Sequence, residues 1–414
     1  MSSTRAHEHW KHFFDPFDEE LISSPYPTYD RLRSEEPVHW CAPLRCWVLT
    51  RMEDIQAVIN DPDFMVNELS KVYAELARRA GRNYDATISV LDAMPFFQNG
   101  DRHRRDRRTI AKIMNRKVLS QLEPVIEGFA ASLSSKLLGR YEYDAIKEFA
   151  NPLPQFVMAH ILDLPMSDVP VLSELLTDLT LIFDATTMDV IDRVNRNLIT
   201  ALDLLKGRIV EAIGGSAETA LSSIYDAMSG SETERLADSA ALTLFAYRVG
   251  AETTIGLVGF LIRTLINKPT LYQMVCENPV LASTIVSEVL RLESIVQRAV
   301  RVARITRVIG GQTIAAGEYL MLLIGAANRD PAAFAEPDTL NFAGRKVPDV
   351  VFGGGSHFCP GASLARLEGR IALEQFVQLP AVEPAGEESW FPGRAIRRLT
   401  RLPVRTMGPA CAVF

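Results

Sequence analysis

The sequence predicts a mostly α-helical protein with a small β-rich region, and three observations predict it. Residues 118 to 228 form a series of amphipathic patterns broken at Pro124, Pro152-Leu-Pro154, Pro165 and Gly214-Gly215, the punctuation expected between successive helices. Glu232 to Lys268 is the longest helical pattern in the chain and is stopped by Pro269, which cannot continue a helix. Strand signals are confined to short runs: Val38-His-Trp, Cys46-Trp-Val-Leu-Thr, and a hairpin over Val308 to Ala315 through Gly310-Gly311. At 414 residues, length alone suggests two or three domains. No linker, repeat or low-complexity tract divides the chain, so a single domain over 1–414 is expected, with 1–12 as a disordered tail.

Before the central helices, Pro25-Tyr-Pro-Thr-Tyr-Asp-Arg-Leu-Arg opens a short helix, because proline fits the first turn. The turn Ala42-Pro43-Leu44 joins the first two strands, and Met52 to Ile59 is helical up to Asp61-Pro62. Residues 64 to 98 have no clean period. The basic run Asp101 to Lys112 follows, in which His103 and Arg107 lie one helical turn apart and share a face. Its other arginines, Arg102, Arg104, Arg105 and Arg108, are expected in solvent.

Lys+Arg at 44 against Asp+Glu at 51 gives a net charge of −7, which argues against a nucleic-acid partner. The N-terminus is polar, with no apolar leader, and no stretch approaches the ~18 uninterrupted apolar residues of a membrane span. A cytoplasmic protein without a membrane partner is expected. Cys41, Cys46, Cys276, Cys359 and Cys411 suggest no disulfide framework. The His7, His9, His12 cluster reads as a solvated terminus, and the prenylation-like Cys411-Ala-Val-Phe as coincidence.

The chemistry concentrates at Phe352-Gly-Gly-Gly-Ser-His-Phe-Cys-Pro-Gly361. Pro360 suits the first position of the amphipathic run Ala362 to Leu379. Cys359 is thereby expected at a helix N-terminus, where free amides and the dipole favour a thiolate. The glycines permit a tight turn close to something bulky. A rigid, single thiolate suits the one proximal position of a haem iron. A chance match to the spacing FxxGxHxCxG is on the order of one in a thousand for such a chain.

At these residues the sequence resembles the cytochrome P-450 family, the haem-thiolate monooxygenases, and the resemblance covers roughly residues 13 to 405. It implies the cytochrome P-450 fold, with heme b (iron protoporphyrin IX) held by Cys359 as metal ligand. Phe352, His357 and Gly361 belong to the same loop, and His103, Arg107 and Arg301 match residues that reach the haem propionates. It implies that residues 64 to 98 form a mobile lid over the substrate. It also implies dioxygen as co-substrate and NAD(P)H-derived electrons arriving through a ferredoxin or flavodoxin and its reductase.

Within the longest helix, Val249-Gly-Ala-Glu-Thr-Thr254 contains weak helix formers, so a local break in its hydrogen-bond ladder is expected. Glu252 and Thr253 match the family's catalytic acid–alcohol pair. Splitting dioxygen consumes two protons, and a hydroxyl beside a proton-relaying carboxylate meets that need. Phe245, Val249, Ile295 and Val296 are the candidate substrate contacts. Arg248 stands where relatives are commonly apolar, and it reads three ways. It anchors an anionic substrate, pairs with an internal acid, or reaches out to solvent. Glu288-Val-Leu-Arg291 matches the family's buried structural ion pair, with Arg345 as a further member. The function implied is insertion of one oxygen atom into a small organic molecule, in bacterial secondary metabolism or catabolism. Oxidative coupling, ring closure, desaturation and non-catalytic haem binding are the alternatives.

Overall fold

A computed structural model describes residues 14–184, 186–342 and 348–410. The expected 1–12 tail, its histidines, Arg345 and Cys411 lie outside the described residues. In chain order come α1 (Tyr26–Glu35), β1 (Val38–Cys41), β2 (Cys46–Leu49), α2 (Met52–Asn60) and β3 (Phe64–Val66). They are followed by α3 (Leu69–Ala80), α4 (Asp85–Asp92), α5 (Gly100–Ile113), α6 (Arg116–Leu137), β4 (Glu142–Asp144) and α7 (Pro152–Ile161). Next are α8 (Met188–Gly214), α9 (Glu232–Asn267), α10 (Leu281–Glu293), β5 (Arg298–Ala303), β6 (Arg307–Ile309), β7 (Gln312–Ile314) and β8 (Tyr319–Leu323). The chain closes with α11 (Ala362–Phe376), β9 (Pro380–Pro384), β10 (Ser389–Trp390), β11 (Leu399–Arg401) and β12 (Pro403–Ala410). The mostly helical prediction is met, as are the first hairpin and the one at Gly310-Gly311.

The chain divides into two compact units. One comprises Met1–Asn67, Ser283–Cys359 and Ser389–Thr400 and holds the five-stranded sheet β1-β2-β8-β5-β3. Leu49, Ile55, Val58, Leu320 and Leu322 are at most 1% exposed in its core. The other comprises Glu68–Ala282, Pro360–Glu388 and Arg401–Phe414. There α9 packs against α7, α8 and α11. Its start is fixed by a capping box, in which Glu234 N–H donates to Ser231 Oγ (3.4 Å) and Ser231 N–H to the Glu234 carboxylate (2.8 Å). α9 is long and apolar enough to cross a membrane, but 67% of its apolar window is buried inside the protein.

Residues 64 to 98, which show no clean period in the sequence, contain β3, α3 and α4. α3 buries Ser70 and Tyr73 and exposes Val72. The ladder of α9 does not break at Gly250, for the helix is continuous from Glu232 to Asn267. Gly250 serves packing instead: a Cβ there would stand 2.7 Å from Met158 Sδ of α7. Finally, Cys276 is disulfide-bonded, whereas Cys41, Cys46 and Cys359 are in no disulfide.

Glu368 on α11 is fully buried, and neither carboxylate oxygen has a hydrogen-bond partner among the described residues. Desolvation pushes its carboxyl up to about 8. The unfolded chain releases this proton near about pH 4.3. Stability therefore falls as pH rises from there toward about 8, by roughly 1.4 kcal/mol per unit, and the loss is constant above. Glu368→Gln is expected to flatten this dependence. Urea midpoints of wild type and variant between about pH 5 and 8 measure it, the gap shifting in favour of the variant as pH rises.

Candidate functional site

The thiol loop belongs to the sheet-containing unit. Gly353 (φ +69°) and Gly355 (φ +57°) take left-handed conformations that favour glycine. Gly354 and Gly355 press on the end of α2: added Cβ atoms would meet Ile59 Cγ2 at 2.7 Å and the Ile59 carbonyl oxygen at 2.9 Å. The turn Gly355–His357 then delivers Cys359, whose N–H donates to the Phe352 carbonyl (2.8 Å). Cys359 is partly exposed, as are Phe352 and His357. Gly361 is the N-cap residue of α11.

The loop's approach is held from behind by the predicted ion pair. Arg291 Nη2 donates to Glu288 Oε2 at 2.8 Å, both side chains being 1% exposed. Arg291 also donates to the carbonyls of Asn328 (3.0 Å), Pro337 (2.6 Å) and Thr339 (2.7 Å). Glu288 Oε2 accepts the Asn341 N–H (2.9 Å). Asn328, fully buried, passes the support on: its Oδ1 accepts the Val350 N–H (3.0 Å) and its Nδ2 donates to Ser294 Oγ (2.9 Å). Sequence reasoning missed Asn328, whose only signal is a polar residue closing an apolar run.

Arg301 sits on β5, opposite Val66 and Leu320. It is 7% exposed and makes one described hydrogen bond, Nη1 to the Val300 carbonyl (2.9 Å). Among the described residues no carboxylate pairs with it. Burial alone pulls its pKa down to about 10, so an anionic group at this point would be strongly favoured. Ile295 is buried, and Val296 is half-buried and bridges to Ile396.

In the helical unit, α9 is buried at every position from Ser239 to Ile262 except Val249, Gly250 and Thr253. Those three positions are partly accessible in the middle of a core helix, and Val249 and Thr253, one turn apart, share a face. Thr253 Oγ1 donates back to the Val249 carbonyl (3.2 Å), and Thr254 Oγ1 to that of Gly250 (3.3 Å). Glu252, 1% exposed, is gripped on Oε1 by Arg248 Nη2 (2.8 Å) and Thr180 Oγ1 (3.1 Å). Arg248 also donates to the Thr177 carbonyl (3.1 Å) and is 5% exposed. Of its three readings, the internal pair is the one the geometry contains.

Phe245 lies two turns before Thr253, with Val249 between, along one stripe of α9. Its ring meets Phe96 at 5.7 Å; Phe96 meets Phe97 at 4.5 Å and Phe183 at 5.7 Å, all edge-to-face. Phe96, Phe97 and Phe183 are only partly buried, so three separate segments give this stripe an aromatic, accessible extension. Sequence reasoning named only Phe245 of the four.

On α5, His103 is 7% exposed and Arg107 half-buried. Burial, and then the charge of Arg107, lower the pKa of His103. Contrary to expectation, Arg102 and Arg105 are not free in solvent. Arg102 pairs with Asp92 and Asp238, and Arg105 with Asp106 and Asp238. Arg104 and Arg108 are exposed, as expected.

Comparison with known proteins bears on this arrangement. Residues 262–392 match the family model "Cytochrome P450". The chain is 31% identical to the biotin biosynthesis cytochrome P450 of Bacillus subtilis, over 93% of this chain and 97% of that one. It is also 31% identical to the vitamin D(3) 25-hydroxylase of Pseudonocardia autotrophica, over 100% of both. Among solved structures, P450BioI in complex with hexadec-9Z-enoic acid ligated acyl carrier protein superposes with a TM-score of 0.85. The two are 29% identical, over 93% of this chain and 99% of that one.

Two substitutions test the buried pairs. Arg248→Leu leaves the Glu252 charge buried and is expected to cost ~3–5 kcal/mol in urea unfolding. Arg248→Leu with Glu252→Leu should recover most of that loss, and an additive loss would contradict the pairing. Glu288→Ala, which strands Arg291 behind the thiol loop, is expected to give haem-free or misfolded protein, and a normal haem content per chain would refute it.

Proposed function

The chain belongs to the cytochrome P450 family of haem monooxygenases, and we propose that it oxygenates a neutral, largely apolar small molecule in a bacterial biosynthetic or catabolic step. The observation that carries this is the accessibility of Val249 and Thr253 within the buried stretch of α9, with a carboxylate beside them and phenylalanines beyond. The residues fit heme b. Cys359 would supply the iron ligand, and the buried Arg301, which pairs with no carboxylate among the described residues, would supply a cation for a propionate, with His103, Arg107 and His357 as further donors. When bound, the haem supplies the activation of dioxygen.

The chain's own groups do the rest. Thr253 presents its hydroxyl to the accessible space, and Glu252 holds the carboxylate from which protons pass to that hydroxyl. Arg248 keeps that carboxylate oriented rather than reaching for substrate. Phe245, Phe96, Phe97 and Phe183 favour an apolar occupant. This agrees in kind with the vitamin D(3) 25-hydroxylase and the acyl-loaded P450BioI, whose names describe hydrophobic ligands.

Electrons reach the site from NAD(P)H through a ferredoxin or flavodoxin and its reductase. The exposed Arg104, Arg108 and Lys112, spaced one turn apart on α5, suit an acidic donor. The location is the cytoplasm. The chain crosses repeatedly between its two units without a linker-like stretch, which supports a single domain.

The test is a Soret titration of the haem protein with carboxylic acids and their matched neutral esters. Acids and esters of one skeleton are expected to shift the spin state alike. A response to acids alone would overturn the neutral-substrate reading and return Arg248 to the role of anion anchor.

A further inference from the structure

We propose that Cys41 and Cys46 form a reversible dithiol–disulfide site, closed by peroxide across the β1–β2 hairpin. Strands β1 and β2 are antiparallel, and their register sets Cys41 directly opposite Cys46. The turn between them is closed by the Arg45 N–H donating to the Ala42 carbonyl (3.3 Å), with Arg45 at φ +50°. Directly opposed residues of an antiparallel pair have Cα atoms about 4.5–5.5 Å apart, inside the roughly 4.4–6.8 Å range that a disulfide spans. Both side chains point into one core, with Tyr29, Leu32, Val48 and Met321. The neighbouring pair, Trp40 and Trp47, meets at 5.2 Å. Both sulfurs are free thiols, and they are hydrogen-bonded to each other.

Their roles differ. The Cys46 S–H donates to the Cys41 sulfur, and the Leu44 N–H is turned to the same atom. The pair therefore favours a thiolate on Cys41 and a retained proton on Cys46. Of the charges that act on the pair, Arg298 supports that thiolate and Asp15 opposes it. The Cys41 sulfur attacks one oxygen of hydrogen peroxide. The O–O bond breaks, leaving a sulfenic acid and one water. The Cys46 sulfur then attacks the sulfenic sulfur, and a second water departs with the remaining thiol proton. Two thiols and one peroxide become one disulfide and two waters, the sulfurs giving up two electrons. Exchange with a small thiol such as glutathione reverses the bond. β1 is the edge strand of its sheet, so local opening can admit peroxide without disturbing the central strands.

Trypsin cuts after Arg45 and so separates the two cysteines into peptides 34–45 and 46–51. The full-length protein is treated with hydrogen peroxide, alkylated under denaturing conditions, digested and analysed by mass spectrometry. The expected result is the two peptides joined, released by a phosphine reductant, and absent in Cys41→Ser. The wild-type arm decides without the variant. Separate, alkylated peptides overturn the proposal, as does Cys41 oxidised to sulfinic acid without linkage, or either cysteine joined to a third.

Discussion

Charge buried without a partner is the constraint on which this structure turns. Glu288 and Arg291 are both 1% exposed, and each would cost several kcal/mol alone. The core around them is shaped to supply what they lack: the carbonyls of Asn328, Pro337 and Thr339 for one, the Asn341 amide for the other. The same demand reaches the chemistry. By fixing Asn328, the pair fixes Val350, the last residue but one before the loop that carries the thiol. A fixed approach to the Cys359 loop is thus a by-product of satisfying an ion pair some seventy residues earlier in sequence.

The same logic runs through α9. A glutamate in the buried stretch of a core helix must be neutralised or hydrogen-bonded, and here Arg248, one turn earlier, does both with Thr180. The consequence is a site whose acid is kept in place while the adjoining hydroxyl, on Thr253, stays accessible. Arg301 shows the complementary case. It is a buried cation for which the described protein offers no carboxylate, and the missing charge fits a prosthetic group that brings its own.

Much of this was legible in the sequence, and what was not has a physical reason. Cys359, Glu288 and Arg291 stand in fixed local spacings, and the helix boundaries at Pro25 and Pro269 follow from proline's geometry. The partner of Arg248 lay four residues away in the sequence, yet choosing it over a substrate anion needed the burial of both groups. Asn328 and Thr180 act over long separations, which no local pattern records. The aromatic extension draws on Phe96, Phe97, Phe183 and Phe245, from three segments that only the fold brings together. Gly250 was read as a break because glycine weakens helices, when its role is to let Met158 approach.

Turnover under isotopically labelled dioxygen tests the account most directly. The protein would be supplied with a surrogate ferredoxin, its reductase and NADPH, together with an apolar compound that shifts the Soret band. The account predicts product carrying one labelled oxygen atom, the other appearing in water. Product without label would contradict it and point to coupling, ring closure or desaturation, and NADPH consumption with no product at all would contradict it equally.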